Sequence, residues 1–262
     1  MSKAPLGVLI LHGFTDTVHS MRSLEPPLSE LGLPYRIPCL RGHGAASPEA
    51  LRGVCWQDWI VDAHDALEDL LIEVDKAIVI GYSMGGLIGI HIAAENPGRV
   101  DSLVLAEAVI QIKAPIAPGR LLSFLAPLVV RLVRKWPMPP VYVDPALAEG
   151  HDSYPWAPTE AIATLFALSR EAGARLKDVV APTLILQSRK DGTAAPACPG
   201  ILYNGISTPA GQKSIHWFER TGHEMFRDCE RHEVVAVITD FIRERISSEA
   251  ARGADPNRPA AR

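Results

Sequence analysis

Six short apolar runs punctuate the chain, at 6–11, 35–39, 76–80, 102–105, 183–187 and 214–218, several of them flanked by Gly or Pro. Short runs of this kind mark strands of a mostly parallel sheet covered on both sides. Between them, apolar residues recur at helical spacing over 21–31, 56–74, 84–96, 195–204 and 232–246. Pro97-Gly98 ends the third of these stretches. Strand and helix therefore alternate, and the pattern predicts an α/β fold built from parallel crossovers.

Two segments break the rhythm. Residues 109–173 are rich in proline (Pro115, Pro118, Pro127, Pro137, Pro139, Pro140, Pro145, Pro155 and Pro158) and show no clear alternation. They read as an insertion between two core strands, leaving 1–108 and 174–246 as the core. The polar, Ala/Arg/Pro-rich stretch 247–262 reads as a disordered tail. No internal repeat is visible.

Composition narrows the classes. At 262 residues and 47% hydrophobic, the chain can bury one sizeable core. A net charge of −4 supplies no field for nucleic acid, so small molecules or lipids are the expected ligands. The apolar run at 6–11 is too short to span a membrane and has no small-residue cleavage site, so a cytoplasmic protein is expected. Cys39, Cys55, Cys198 and Cys229 lack zinc or C-x-x-C spacing and read as free thiols of a reducing compartment. No pattern bears on oligomeric state.

The chemistry concentrates at Gly81-Tyr82-Ser83-Met84-Gly85-Gly86, between the strand at 76–80 and an apolar helix. A G-x-S-x-G pentapeptide in that context is a nucleophile elbow: small residues two before and two after the serine let strand and helix approach. Ser83 is then the nucleophile, with the backbone N–H of Met84 aimed at a developing oxyanion. A serine hydroxyl is weak alone and needs a base, which in turn needs an orienting acid. With such an elbow, acid and base follow in that order along the chain. Asp191, just past the strand at 183–187, is the expected acid; the runner-up, Asp178, precedes that strand and falls at the wrong end of the sheet. His223, in the loop after the last strand, is the expected base, whereas His216 lies within that strand and His232 within the final helix. The loop His12-Gly13-Phe14 after the first strand should supply the second oxyanion donor, the N–H of Phe14. His12 and His43 read as braces of their loops, and the Gly85-x-x-x-Gly89 spacing as helix packing.

His12-Gly13-Phe14-Thr15, Ser20-Met21-Arg22, Arg41-Gly42-His43-Gly44, Asp58-Trp59, the elbow, Pro182 to Asp191 and Gly222-His223 together resemble the bacterial monoacylglycerol lipase and thermophilic carboxylesterase family of α/β-hydrolases. The resemblance spans roughly residues 5–110 and 175–245. It implies a mostly parallel eight-stranded sheet flanked by helices, a helical cap formed by 109–173, no cofactor or metal, and hydrolysis of carboxylic esters. Ser83, Asp191 and His223 match the family's triad positions, and Phe14 and Met84 its oxyanion donors. Two departures stand out: Asp16 replaces a frequent Gly, and Asp191-Gly192-Thr193-Ala194-Ala195-Pro196 is smaller than usual.

The most apolar part of the insertion, 119–136, is too short and too basic for a membrane span. It is expected to wall an apolar pocket and to offer transient lipid-surface contact, or else to pack as a cap helix. The expected substrate is a small-molecule ester with an apolar acyl chain, short- to medium-chain or a monoacylglycerol. Thioesterase, lactonase, C–C hydrolase and perhydrolase activities share the same triad, and a non-catalytic ligand-binding member is a further class. Epoxide hydrolases and haloalkane dehalogenases are disfavoured, because they carry Asp where Ser83 stands.

Overall fold

The structure is a computed structural model that describes residues 3–253, apart from 115, 118–120, 122–123 and 125. In chain order the first half comprises β1 (Ala4–Leu11), a 3-10 turn leading into α1 (Glu25–Glu30), β2 (Tyr35–Arg36), α2 (Trp56–Glu73), β3 (Val74–Tyr82), α3 (Met84–Glu95) and β4 (Val100–Ala106). The insertion follows with α4 (Ala126–Leu132), β5 (Lys135–Pro137), β6 (Trp156–Pro158) and α5 (Thr159–Arg175). The chain then returns through β7 (Thr183–Ser188), α6 (Cys198–Gly205), β8 (Lys213–Phe218) and α7 (Arg231–Gly253).

The main sheet is parallel throughout, in the order β2-β1-β3-β4-β7-β8. Its six strands are the six apolar runs; the eight strands implied by the family resemblance are not found among the described residues. No further run of sufficient length is available to extend the sheet, and the remaining pair, β5 and β6, forms a separate antiparallel ribbon in the insertion. The period of two along each strand sorts side chains onto two cores. Leu9, Leu11 and Val79 face the layer of α2, α3, α5 and α6, against Trp59, Leu67, Ile88 and Leu165. Val8, Ile10, Ile78 and Ile80 face α1 and α7, against Leu28, Val234, Ile238 and Ile242.

Strand order reverses beside β1, with β2 on one side and β3 on the other. Such a switch point opens a crevice at the carboxyl ends of the strands, where α/β sheets bind ligands. The pairing Leu11↔Gly81 brings the loops leaving β1 and β3 together at that crevice.

Two regions differ from the expectation. The insertion is more regular than its prolines suggest: α5 buries Ala161, Ile162, Leu165, Phe166, Leu168 and Ala172, a helical stripe packed beside α3. The apolar stretch 119–136 falls partly outside the described residues. The disordered tail expected from residue 247 is also contradicted over 247–253, where α7 continues. Ser247 and Ser248 donate to the carbonyls of Arg243 and Glu244 at 3.0 and 2.8 Å, and Lys76 meets Glu249 at 3.4 Å. Residues 254–262 lie outside the described residues. No helix among those described is long and apolar enough to cross a membrane.

Leu9 is fully buried on the strand beside β3. Leu9→Ala is expected to lower unfolding free energy by about 2–5 kcal/mol in urea melts, leaving the folded far-UV spectrum unchanged.

Candidate active site

The elbow rests on backbone contact without side chains. A Cβ on Gly85 would lie 2.0 Å from the Leu11 carbonyl oxygen, and one on Gly81 would lie 2.3 Å from the Gly85 carbonyl oxygen. Only glycine permits this approach. Ser83 itself adopts φ 54°, ψ −113°, a strained conformation for a non-glycine residue. Its N–H donates to the Ala106 carbonyl at 2.8 Å, which fixes the turn against β4.

The three side chains expected from sequence meet here. Ser83 Oγ lies 2.9 Å from His223 Nε2, and His223 Nδ1 lies 3.0 Å from Asp191 Oδ2. All three are buried. Asp191 Oδ1 accepts the N–H groups of Thr193 at 2.6 Å and Ala194 at 3.0 Å, so the small residues after Asp191 fold around its carboxylate. Burial alone would raise the Asp191 pKa, but the charge and hydrogen bond of His223, with these N–H donors, hold it below the usual carboxylate range. For His223 burial works toward the neutral ring, yet Asp191 outweighs it and leaves the pKa raised above the ordinary 6.5. A donor at Nδ1 and an acceptor facing a serine hydroxyl is the arrangement a general base requires.

The loop carrying His223 is pinned from several directions. The Gly222 N–H donates to Asp228 Oδ2 at 2.6 Å, and the same oxygen accepts the Val143 N–H of the insertion at 2.8 Å. Tyr82, inside the elbow, donates its hydroxyl to the His223 carbonyl at 3.0 Å. Asp228 was not expected from sequence; its partners lie up to 85 residues away, and no local pattern marks it.

Phe14 lines the same cavity as Ser83, and Met84 opens α3, where the first N–H groups have no intrahelical partner. The Phe14 ring packs edge-on against Trp59 and His43 at 5.9 and 6.0 Å. His12 donates from Nδ1 to the Gly13 carbonyl at 2.9 Å and accepts the Leu40 N–H on Nε2 at 3.1 Å, bridging two loops. His43 is buried, which lowers its pKa to about 3, and it binds backbone carbonyls of its own loop. His216 lies in β8, His232 in α7, and Asp178 before β7, all away from the three side chains.

The cavity above Ser83 measures about 260 Å³. One wall is apolar: Trp136, Met138 and Val141 of the insertion, with Ile162, Leu165 and Phe166 of α5. Polar groups line the cavity too: Asp16, His151, Ser153 and Glu224. Asp16 accepts Ser153 Oγ at 2.8 Å and faces Arg227 at 3.6 Å. Burial raises Glu224 to about 7. Glu107, Asp191 and His223 are the group of potential metal ligands within mutual reach among the described residues. Both His223 nitrogens already face Ser83 and Asp191, and Asp191 is occupied by N–H donors, so the cluster is a hydrogen-bonded relay. Glu107 also escaped the sequence reading, although an acid two residues past the apolar run at 102–105 was a visible anomaly.

A parallel sheet with helices on both faces and a serine on a strained strand–helix elbow defines an α/β-hydrolase. Residues 3–230 match the family described as serine aminopeptidase, S33, and the chain belongs to that family. It is 29% identical over 242 residues to a thermostable monoacylglycerol lipase of Bacillus sp. (strain H-257), covering 91% of this chain and 90% of that protein. It is 26% identical over 238 residues to a carboxylesterase of Bacillus subtilis (strain 168), covering 90% and 91% respectively. Among solved structures it superposes with a TM-score of 0.80 and 28% identity on one from a study of LipS and LipT, two metagenome-derived lipolytic enzymes, covering 92% of this chain and 95% of that one.

Gly85→Ala is expected to drive strand and helix apart and lower the melting temperature by about 10 °C or more. Gly98→Ala, where a Cβ meets nothing within 4 Å, should melt within about 2 °C of wild type.

Proposed function

We propose that this chain is a serine carboxylic-ester hydrolase acting on esters with apolar acyl chains, with Ser83 as nucleophile, His223 as base and Asp191 as orienting acid. The observation that carries the reading is the unbroken hydrogen-bonded path Ser83–His223–Asp191 at the floor of a cavity with an apolar wall. His223 takes the proton of Ser83 as the hydroxyl attacks the acyl carbon. The N–H groups of Phe14 and Met84 receive the oxyanion, and Asp191 stabilises the imidazolium. His223 then returns the proton to the leaving alcohol, and a water activated by the same ring hydrolyses the acyl-enzyme. Residues 109–173 act as the cap, presenting the acyl chain with Trp136, Met138 and Val141. A cavity near the lower end of the range for small-molecule sites, about 300–1,000 Å³, favours short- to medium-chain acyl groups. The polar lining groups Asp16 and Glu224 take the alcohol portion, which suits hydroxylated leaving groups such as glycerol. Leu121, Phe124, Leu128 and Leu132, all outward-facing, supply the surface for transient contact with lipid or aggregated substrate. Four free thiols fit a cytoplasmic setting.

A chain-length series of p-nitrophenyl and glycerol esters tests the reading. Turnover should peak at short to medium acyl chains, and Ser83→Ala should lower kcat about 10⁴-fold or more. Background rates on every ester would sink it. Because only neutral His223 can accept the proton, and its pKa is raised, kcat/KM should fall as pH drops, with the acid midpoint above 6.5.

A further inference from the structure

The relay does not end at Asp191. Glu107 is the first residue after β4, between the elbow strand β3 and the acid-bearing strand β7. It is fully buried and adopts φ 49°. One carboxyl oxygen accepts the Ser188 N–H at 2.7 Å, and the other meets Gln187 Nε2, which also reaches Asp191 Oδ2 at 3.1 Å. A carboxyl oxygen of Glu107, one of Asp191 and a ring nitrogen of His223 all lie within 4.8 Å of one another, and Gln187 Nε2 bridges the two carboxyl groups.

Two buried carboxyl groups this close disfavour a second negative charge, so one of them holds a proton. The surrounding donors decide which. Asp191 receives the His223 Nδ1–H and two backbone N–H groups, all of which favour its anion. Glu107 receives one backbone N–H and a share of one amide, and no cation pairs with it among the described residues. The proton therefore resides on Glu107, and burial and the Asp191 charge push in the same direction. The other titratable groups facing this cluster are Cys198 from α6, Tyr82 from β3, and Glu224 and Asp16 around His223. Lys113 donates from Nζ to the backbone carbonyl of Asp191.

We propose that Glu107 is a positioning residue for the relay: as a neutral acid it donates a hydrogen bond to Asp191, fixes that carboxylate's orientation and moderates the basicity that Asp191 confers on His223. This role rests on the serine-hydrolase reading above. It also gives an acid to a site where an uncharged residue would fill the same space.

The test is the pH dependence of kcat and kcat/KM on a p-nitrophenyl ester for wild type, E107L and E107Q. In E107L, Asp191 loses a donor, its fuller charge stabilises the imidazolium, and the acid limb moves up by about half a pH unit. Its kcat falls about ten-fold with KM within about two-fold. E107Q, whose amide can donate in place of the acid, restores the limb and recovers most of the rate. A downward move of the limb in E107L or E107Q overturns the proposal, because it means that a charged Glu107 was removed. An unmoved limb and rate in E107L beside a lowered melting temperature also overturns it, leaving Glu107 a packing residue. If E107L does not fold, E107Q alone decides, by a limb that stays with wild type or moves down. An inactive wild type would strike the hydrolase reading; an active wild type with these contrary variants strikes only Glu107.

Discussion

The closeness of α3 to the ends of β1 and β3 governs the site. A gap that would leave a methyl group on Gly85 only 2.0 Å from the Leu11 carbonyl holds helix and strands at backbone contact. That contact forces Ser83 to φ 54° and lifts its hydroxyl out of the sheet toward His223. The strain, of order 1–3 kcal/mol, is held by a large surround of buried side chains on both faces of the sheet. The elbow also sits at the switch point in strand order, so the loop after β1, with Phe14, meets Ser83 without any long excursion of chain.

Electrostatics then distribute one negative charge through a buried chain of groups. Asp191 keeps its charge because backbone N–H groups and His223 all donate to it, and His223 gains basicity in return. The loop bearing His223 is tied to the insertion through Asp228, which accepts from both Gly222 and Val143. An insertion segment that lines the cavity is thus fastened to the loop that carries His223. Movement of the insertion and placement of the imidazole share this anchor.

Much of this was legible in the sequence, for local reasons. The inner strands β1, β3, β4 and β7 are buried along most of their length and had to be apolar runs, and the half-buried edge strands β2 and β8 fell within apolar-rich runs as well. The elbow is a local steric motif, and the order of acid and base follows from the fold, so Ser83, Asp191 and His223 could be named before any coordinates. What escaped reading depends on distance or on competing signals. Asp228 and Gln187 act on partners brought together by folding, and no nearby pattern betrays them. In the insertion, prolines masked the helical stripe Ile162, Leu165, Phe166 and Ser169 of α5. The two extra strands came from the resemblance and not from any run in this chain. In α7 the polar residues past Ile246 looked unpatterned because that end of the helix packs little, and serines bonded to preceding carbonyls carry it on to Gly253.

The most direct measurement is a rapid-mixing burst with a p-nitrophenyl ester, followed by acid quench and peptide mass analysis. Nucleophilic attack by Ser83 requires a burst of about one equivalent of p-nitrophenol per chain and the acyl mass on the peptide containing Ser83. Turnover with the acyl group on another residue such as Cys198, or turnover that persists in Ser83→Ala, would contradict it.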